Sequence, residues 1–388
     1  MSGARGHHES FHKAFFKGLQ SHDRVKNPIY LGSRKYQLAD KSWYEPQVPS
    51  RLTSKFKVMD LKYFKTLLHI VDVKNSNSVP VFVAYEGNLF TVFIFSAVLR
   101  LRPKAFAIIN IFDNQQIVAR LESKHQKYYY KMLCNIALEG IKSRIVITGD
   151  TSRFAGKLQN SIKLHVETFP MFSSLSTRQF KSQKSCGYFI NLRGERSALK
   201  LLQICNALGD EKLPNILIHG HIPDAIYLEL SKYKSIEFSH GHISELEYER
   251  LFQNFKNIIF LYEPAVFSYC SSGRLCDAIL ASNTIFVPTD TALSDFTCLH
   301  GNHLSFDFED NNALVNILLS EFEVSKKTLA PLPTVHNSIS ALISMVEQVV
   351  PIKEQKSLGI IFWTVTSIGW LISALGYFLN ATVFKLRV

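Results

Sequence analysis

Ser271, Ser272 and Gly273 stand directly before Arg274, and Asp277 follows one helical turn later, in the stretch FSYCSSGRLCDAIL. Small residues leave the backbone open to close approach, and a helix that starts there offers unpaired N–H groups with a partial positive charge. Such a turn can hold a phosphate, with Arg274 adding charge and Asp277 placed to accept hydrogen bonds from a ribose diol. The same residues also fit an N-capped helix that binds nothing, and the pattern alone leaves both readings open. A second candidate is NLRGERS, where Arg193 and Arg196 lie three apart. Their planar guanidinium groups suit pyrophosphate because each can pair with two oxygens at once. The alternative is an exposed helix start. His7, His8 and His12 near the amino terminus, and His219 and His221 in HGHIPD, could act as acid or base or simply face solvent.

Elements must bring these residues together. Runs rich in Val, Ile and Phe alternate with helical patterns, the mark of βα units around a mostly parallel sheet. In the first half the expected strands are 28–32, 79–85, 105–112, 144–148 and 162–166, with helices such as DLKYFKTLLHIV behind a cap at Asp60 and NLFTVFIFSAVLRL. In the second half they are 187–192, 215–220, 235–239, 257–262 and 284–288. Residues 33–56 have no clear period and read as loop. The pattern restarts after an aperiodic stretch at 168–184, so a domain boundary is expected there. SSGR follows the strand NIIFLY by a few residues and NLRGERS follows GYFI, so both loops sit past strand carboxyl ends, where open α/β sheets bind ligands.

The segment from 242 to 296, HISELEYERLFQNFKNIIFLYEPAVFSYCSSGRLCDAILASNTIFVPTDTALSDF, resembles the nucleotide-sugar half of GT-B glycosyltransferases of the large, mostly retaining class that builds polysaccharides and glycolipids. FINLRGERSALKLL is similar to the first strand and loop of the same domain, where an Arg and a Lys hold the diphosphate. Here Arg193 and Arg196 occupy that loop. The resemblance implies that Ser272 and Gly273 meet the distal phosphate, that Asp277 holds the ribose, and that no metal cofactor is needed. Relatives often carry an acid eight residues before Asp277; this chain has Tyr269, with Glu263 nearby as a substitute. The amino-terminal GARGHHESFHKAFFKGL resembles the glycine-rich loop and first helix of the acceptor domain, with Gly6 and His7 at the loop. No strand precedes it, so either the first sheet starts without its first strand or the start codon lies too far downstream. In IINIFDN, Phe112 stands where relatives place a His, and Asp113 follows. By this resemblance His7, Asp113 and Glu263 are the catalytic candidates.

The chain has 388 residues, and its 44 Lys plus Arg exceed its 32 Asp plus Glu by 44 − 32 = 12. That length predicts two domains, and that charge predicts an anionic partner. Nucleic acid is a poor fit, because the basic residues are dispersed and no recognition motif accompanies them. The six cysteines have no metal-ligand spacing, which predicts reduced thiols and no structural metal. The first residues lack an apolar signal core, which predicts a cytoplasmic body. From Leu358 to Phe384 the chain carries no charge, a stretch longer than the roughly 20 residues that cross a bilayer. A membrane-spanning helix is expected at 358–380, and a buried terminal helix is the alternative. Basic, aromatic KHQKYYYKM at 124–132 could touch anionic headgroups or be a solvated face.

The expected architecture is therefore α/β: an acceptor-side Rossmann-like domain at 1–170, a nucleotide-sugar-binding Rossmann-like domain at 185–335, a closing helix at 336–350 and the transmembrane helix. The expected activity is transfer of a sugar from a nucleotide-diphosphate donor to a lipid-linked or polysaccharide acceptor. The alternative is a catalytically silent protein of the same fold that binds a nucleotide sugar or a partner enzyme.

Overall fold

The computed structural model describes residues 6–25, 28, 31–33, 45–48, 80–87, 89–111, 114–173, 185–239, 243, 245–320 and 330–348. The chain divides into two compact units, one of Met1–Gly18 with Pro170–Ser338 and the other of Leu19–Phe169 with Ile339–Val388.

In the second of these, strands β1 (Leu31–Ser33) and β2 (Glu45–Val48) form a parallel pair. Strands β3 (Val81–Gly87), β4 (Phe106–Ile111), β5 (Ile145–Gly149) and β6 (Glu167–Thr168) form a parallel sheet in that order. Neighbouring Asn110 and Thr148 are both fully buried, and the Thr148 hydroxyl donates to Asn110 Oδ1 at 3.1 Å, which satisfies two polar groups inside the sheet. Arg144 is buried as well, and its guanidinium donates to the carbonyls of Leu99 at 2.6 Å and Arg102 at 3.1 Å.

The other unit holds β7 (Ser185–Arg193), β8 (Ile216–Gly220), β9 (Ile236–Ser239), β10 (Phe255–Tyr262), β11 (Thr284–Pro288) and β12 (His303–Phe306). Their order is β12-β11-β10-β7-β8-β9, and every pairing is parallel. The apolar runs explain why: β11 is buried at every position and β10 at its last five, which requires cover on both faces. Helices Glu195–Leu208, Asp224–Leu230 and Asn311–Leu319 cover one face, packing around Leu201, Ile204, Ile226 and Leu314. Helices Glu245–Asn254, Gly273–Leu280 and Ala292–His300 cover the other around Phe252, Leu275, Ala278 and Leu293. The winding starts at β7, runs outward to β9, then returns to β10 and runs the opposite way. The direction therefore reverses between β7 and β10, the place where doubly wound sheets open a crevice.

Several expectations change. Of the strand expected at 162–166, the last four residues form no strand, and Ile162 ends the helix Ser152–Ile162. Thr151 caps its start by accepting from the Phe154 N–H, and Lys163 at φ 59° ends it by donating to the Gln159 carbonyl, so the strand begins only at Glu167. Part of the 33–56 loop is β2, and β12 was not expected, because four residues in HLSF are too few to show a period. Residues up to Gly18 belong to the unit of the six-stranded sheet, not to the acceptor-side domain expected at 1–170. The buried Phe15 ring stacks on Phe172 at 6.0 Å, which ties the first helix, Gly6–Ser21, to the segment that follows the interdomain crossing at Phe169. The closing helix runs Val335–Glu347. Beyond Ser338 it belongs with residues 19–169, where His22 Nε2 meets the Ser340 hydroxyl at 3.0 Å and Arg24 pairs with Glu347. The helix expected behind Asp60 and the run at 358–380 lie outside the described residues. Among the described residues, no helix is long and apolar enough to cross a membrane.

Candidate functional site

β7 and β10 end in register, with Arg193 opposite Tyr262, so both carboxyl ends open at the reversal point. After Arg193 the chain turns at Gly194, whose φ of 95° lies in the region glycine favours. The Gly194 carbonyl then accepts from the Ala198 N–H at 3.2 Å, starting the helix Glu195–Leu208. Strand, glycine turn and helix start thus place unpaired amides at the crevice. On the neighbouring strand, Gly220 ends β8 at φ 150°, and a Cβ there would lie 2.0 Å from the Leu192 carbonyl oxygen. Only glycine lets the two backbones approach this closely. Beside it lies a concavity of ≈ 370 Å³ lined by Ile218, Gly220, His221, Tyr227, Phe238 and Ser239, among others.

Arg193 is exposed, and its guanidinium sits 5.5 Å from the Tyr262 ring and 6.0 Å from Phe267. The aromatic faces attract the cation, and its N–H groups, which lie in the guanidinium plane, stay available for oxygen acceptors. The Tyr262 hydroxyl is buried, with no hydrogen-bond partner among the described residues.

Arg196 is engaged differently. It donates to Glu263 at 2.9 Å and to both oxygens of Glu309 at 2.7 and 2.9 Å, with its guanidinium 5.7 Å from the Phe308 ring. The hydrogen bond to Glu263, followed by the charge of Glu309, raises its pKa. Two carboxylates therefore occupy the group expected to hold the diphosphate. Lys200, one turn further along the same helix, is buried, with its ammonium 5.4 Å from the Phe308 ring. Burial lowers its pKa, while Glu309, Asp307 and Asp310 oppose that shift. Lys200 and Glu309 were not singled out from the sequence. The spacing of Arg196 and Lys200, four apart, is the signal for Lys200; nothing local marks Glu309, which arrives from the loop after β12.

The SSGR turn also differs from expectation. Ser272 occupies the N-cap position of the helix Gly273–Leu280 without a side-chain cap bond, and Gly273 is buried. Asp277 is fully buried: its Oδ1 accepts from the Ser173 hydroxyl at 2.8 Å, and its Oδ2 lies 3.4 Å from Arg274 Nη1. Arg274, expected to add charge at the mouth, is itself buried and faces this carboxylate. The pair sits on the inner face of an eight-residue helix, because a spacing of three residues puts both side chains on one side. Asp277, expected to meet a ribose, is thus an internal acceptor in this structure.

Glu263, expected to substitute for the acid missing at Tyr269, follows β10 at the reversal point and is bound to Arg196. Gly6 and His7 form the first turn of the first helix and not a loop before it. Asp113 lies outside the described residues. His219 is a strand residue paired with Asn191 and packed on Phe189 at 6.5 Å, and His221 is exposed at the edge of the concavity. Burial pushes the thiols of Cys134 and Cys205 up to about 12 and raises that of Cys276, so none is a nucleophile at neutral pH. Among the described residues, no group of three or more His, Cys, Asp or Glu could hold a metal ion.

No protein-family model matches the chain. No curated protein matches it either. Solved structures do. A UDP-N-acetylglucosamine 2-epimerase from Listeria monocytogenes, described as putative, aligns at TM-score 0.53 and 9% identity over 88% of this chain and 94% of that one. A glycosyltransferase from Rickettsia africae aligns at 0.51 and 12% identity over 83% of each. A trehalose-6-phosphate synthase studied for glycosyl transfer with retention aligns at 0.51 and 9% identity over 78% and 81%.

Proposed function

We propose, starting from the GT-B glycosyltransferase fold that these likenesses show, that the protein is a glycosyltransferase using a nucleoside-diphosphate sugar. The observation that carries this reading is Arg193 held over Tyr262 at the strand-order reversal, beside the helix start at Gly194. When the glycosidic bond to the diphosphate breaks, negative charge grows on the leaving oxygens. A cation and backbone amides already fixed in place stabilise that charge without reorganising. Arg196 would join them by exchanging Glu309 for phosphate at Nη2, while Glu263, still bound to Nη1, has its other oxygen to accept hydrogen bonds from the transferred sugar. Asp113 remains the acceptor-side catalytic candidate, and His7, in the first helix, a catalytic candidate by the resemblance. A ribose contact from Asp277 requires Ser173 and Arg274 to release it, so we assign Asp277 to the donor only if nucleotide binding depends on it.

The acceptor in this proposal is lipid-linked or a growing polysaccharide at a membrane. An anchor at 358–380 would raise its effective concentration by confining both partners to one surface. The described free thiols fit a reducing, cytoplasmic location for the body. A thermal-shift screen against UDP, GDP, ADP and their sugars tests the donor, followed by transfer assays of Arg193→Ala and Arg196→Ala. Both variants should stay folded and lose transfer; full activity in both refutes the diphosphate assignment.

The second reading, a silent nucleotide-sugar binder, is favoured by the double carboxylate clamp on Arg196. Tight donor binding without transfer to any lipid-linked or glycan acceptor would select it.

A further inference from the structure

The helix Lys124–Leu138 carries its charges at the end where they destabilise it. Lys124, His125 and Lys127 fall in its first turn, and the helix contains no acidic residue. The amino end of a helix is already partially positive, so cations there repel it where acids would be stabilising. Ser123, at the N-cap, makes no side-chain cap bond. At the other end, where cations are favourable, the helix has no basic residue of its own. Arg100 supplies one from a neighbouring helix, donating to the Ala137 and Glu139 carbonyls at 2.8 Å each. Folding stability therefore does not account for the two lysines at this end.

Their surroundings point outward. Tyr130, Cys134, Ala137 and Leu138 bury one face of this helix. Lys124, Tyr128 and Met132 form a stripe at four-residue spacing on the exposed side, with Tyr128 71% and Met132 41% exposed. His125 and Lys127 are exposed beside them, and Lys131 is half-buried. The nearest acid along the chain, Glu122, pairs with Lys157 at 3.6 Å and not with the stripe.

We propose that this face docks on an anionic lipid surface. Lysines alone would fit nucleic acid or an acidic protein equally well. An aromatic ring and a thioether beside them fit the headgroup boundary, where an apolar tip is buried while cations stay with phosphate. The inference goes beyond the donor site and needs no transfer activity, so either can fail without the other.

The test uses the full chain reconstituted in vesicles of phosphatidylcholine alone or of phosphatidylcholine with phosphatidylserine. Acetylation rates at individual lysines are read by mass spectrometry, with Lys212 of the other unit as internal reference. Each lysine near an anionic surface favours docking by about fivefold, so Lys124 and Lys127 should be acetylated at least about tenfold more slowly on the anionic vesicles. High salt should remove the difference. The double variant Tyr128→Ser, Met132→Ser, at exposed positions, should lose most of the protection while keeping its fold. Equal rates on both vesicle types overturn the proposal, because any slowing would then report proximity to a bilayer without charge recognition. Protection by generic RNA in solution and none on anionic vesicles also overturns it.

Discussion

Asp277→Ala separates two incompatible roles for one carboxylate. Asp277 is fully buried, accepts from Ser173 at 2.8 Å and faces Arg274 at 3.4 Å. A hydrogen bond to a charged group contributes about 1.5–3 kcal/mol. Removing one partner of a buried ion pair costs about 3–5 kcal/mol, because the remaining charge keeps its desolvation cost. Against a unit stability of about 5–15 kcal/mol, that is a large fraction. With a urea slope of about 2 kcal/mol/M, the unfolding midpoint should fall by about 1.5–2.5 M. Asp277→Asn should fall less, since it keeps the shape and an acceptor for Ser173. Ser173→Ala combined with Asp277→Asn should lose less than the sum of the single changes, because the two residues share one bond. The measurement is urea unfolding followed by circular dichroism, beside nucleotide binding on each folded variant. An unchanged midpoint would refute the buried-pair account. If the nucleotide affinity then collapsed, Asp277 would be a ligand residue after all.

Gly220→Ala should destabilise the six-stranded unit by at least about 1–3 kcal/mol, since its Cβ would meet the Leu192 carbonyl. Gly194→Ala has open space around it and should cost about 1–3 kcal/mol from its backbone conformation alone; thermal unfolding of the pair compares clash with strain. Phe308→Ala removes a buried ring under both Arg196 and Lys200 and should lower stability by about 3–5 kcal/mol in denaturant titration. The Tyr188 hydroxyl donates to the Ile317 carbonyl, and burial raises its pKa above 10.0. The unfolded chain therefore releases this proton first as pH rises past 10, so stability falls there, and Tyr188→Phe should lose about 1 kcal/mol at neutral pH and flatten that alkaline decline.

Local order was legible in the sequence. β7 to β11 were expected within two residues of their ends, because parallel strands buried on both faces are written as continuous apolar runs. The loop NLRGERS was legible because it follows such a run, but the glycine turn within it was not singled out. The strand expected at 162–166 failed because Ile162 is the last residue of a helix and the left-handed Lys163 ends it, so that pairing begins only at Glu167.

What the sequence determined by itself was the alternation of strand and helix and the presence of cations past the strand ends, since both depend on neighbours along the chain. Which cations face the crevice was decided only by the fold. Arg193 and Arg196 lie in one short loop, yet one rests on Tyr262 and the other is clamped by Glu263 and Glu309, 67 and 113 residues away. Arg274 and Asp277 are likewise turned inward by Ser173, 104 residues distant from Asp277. A charge is available to a ligand only when no opposite charge reaches it first, and those partners are set by the strand order.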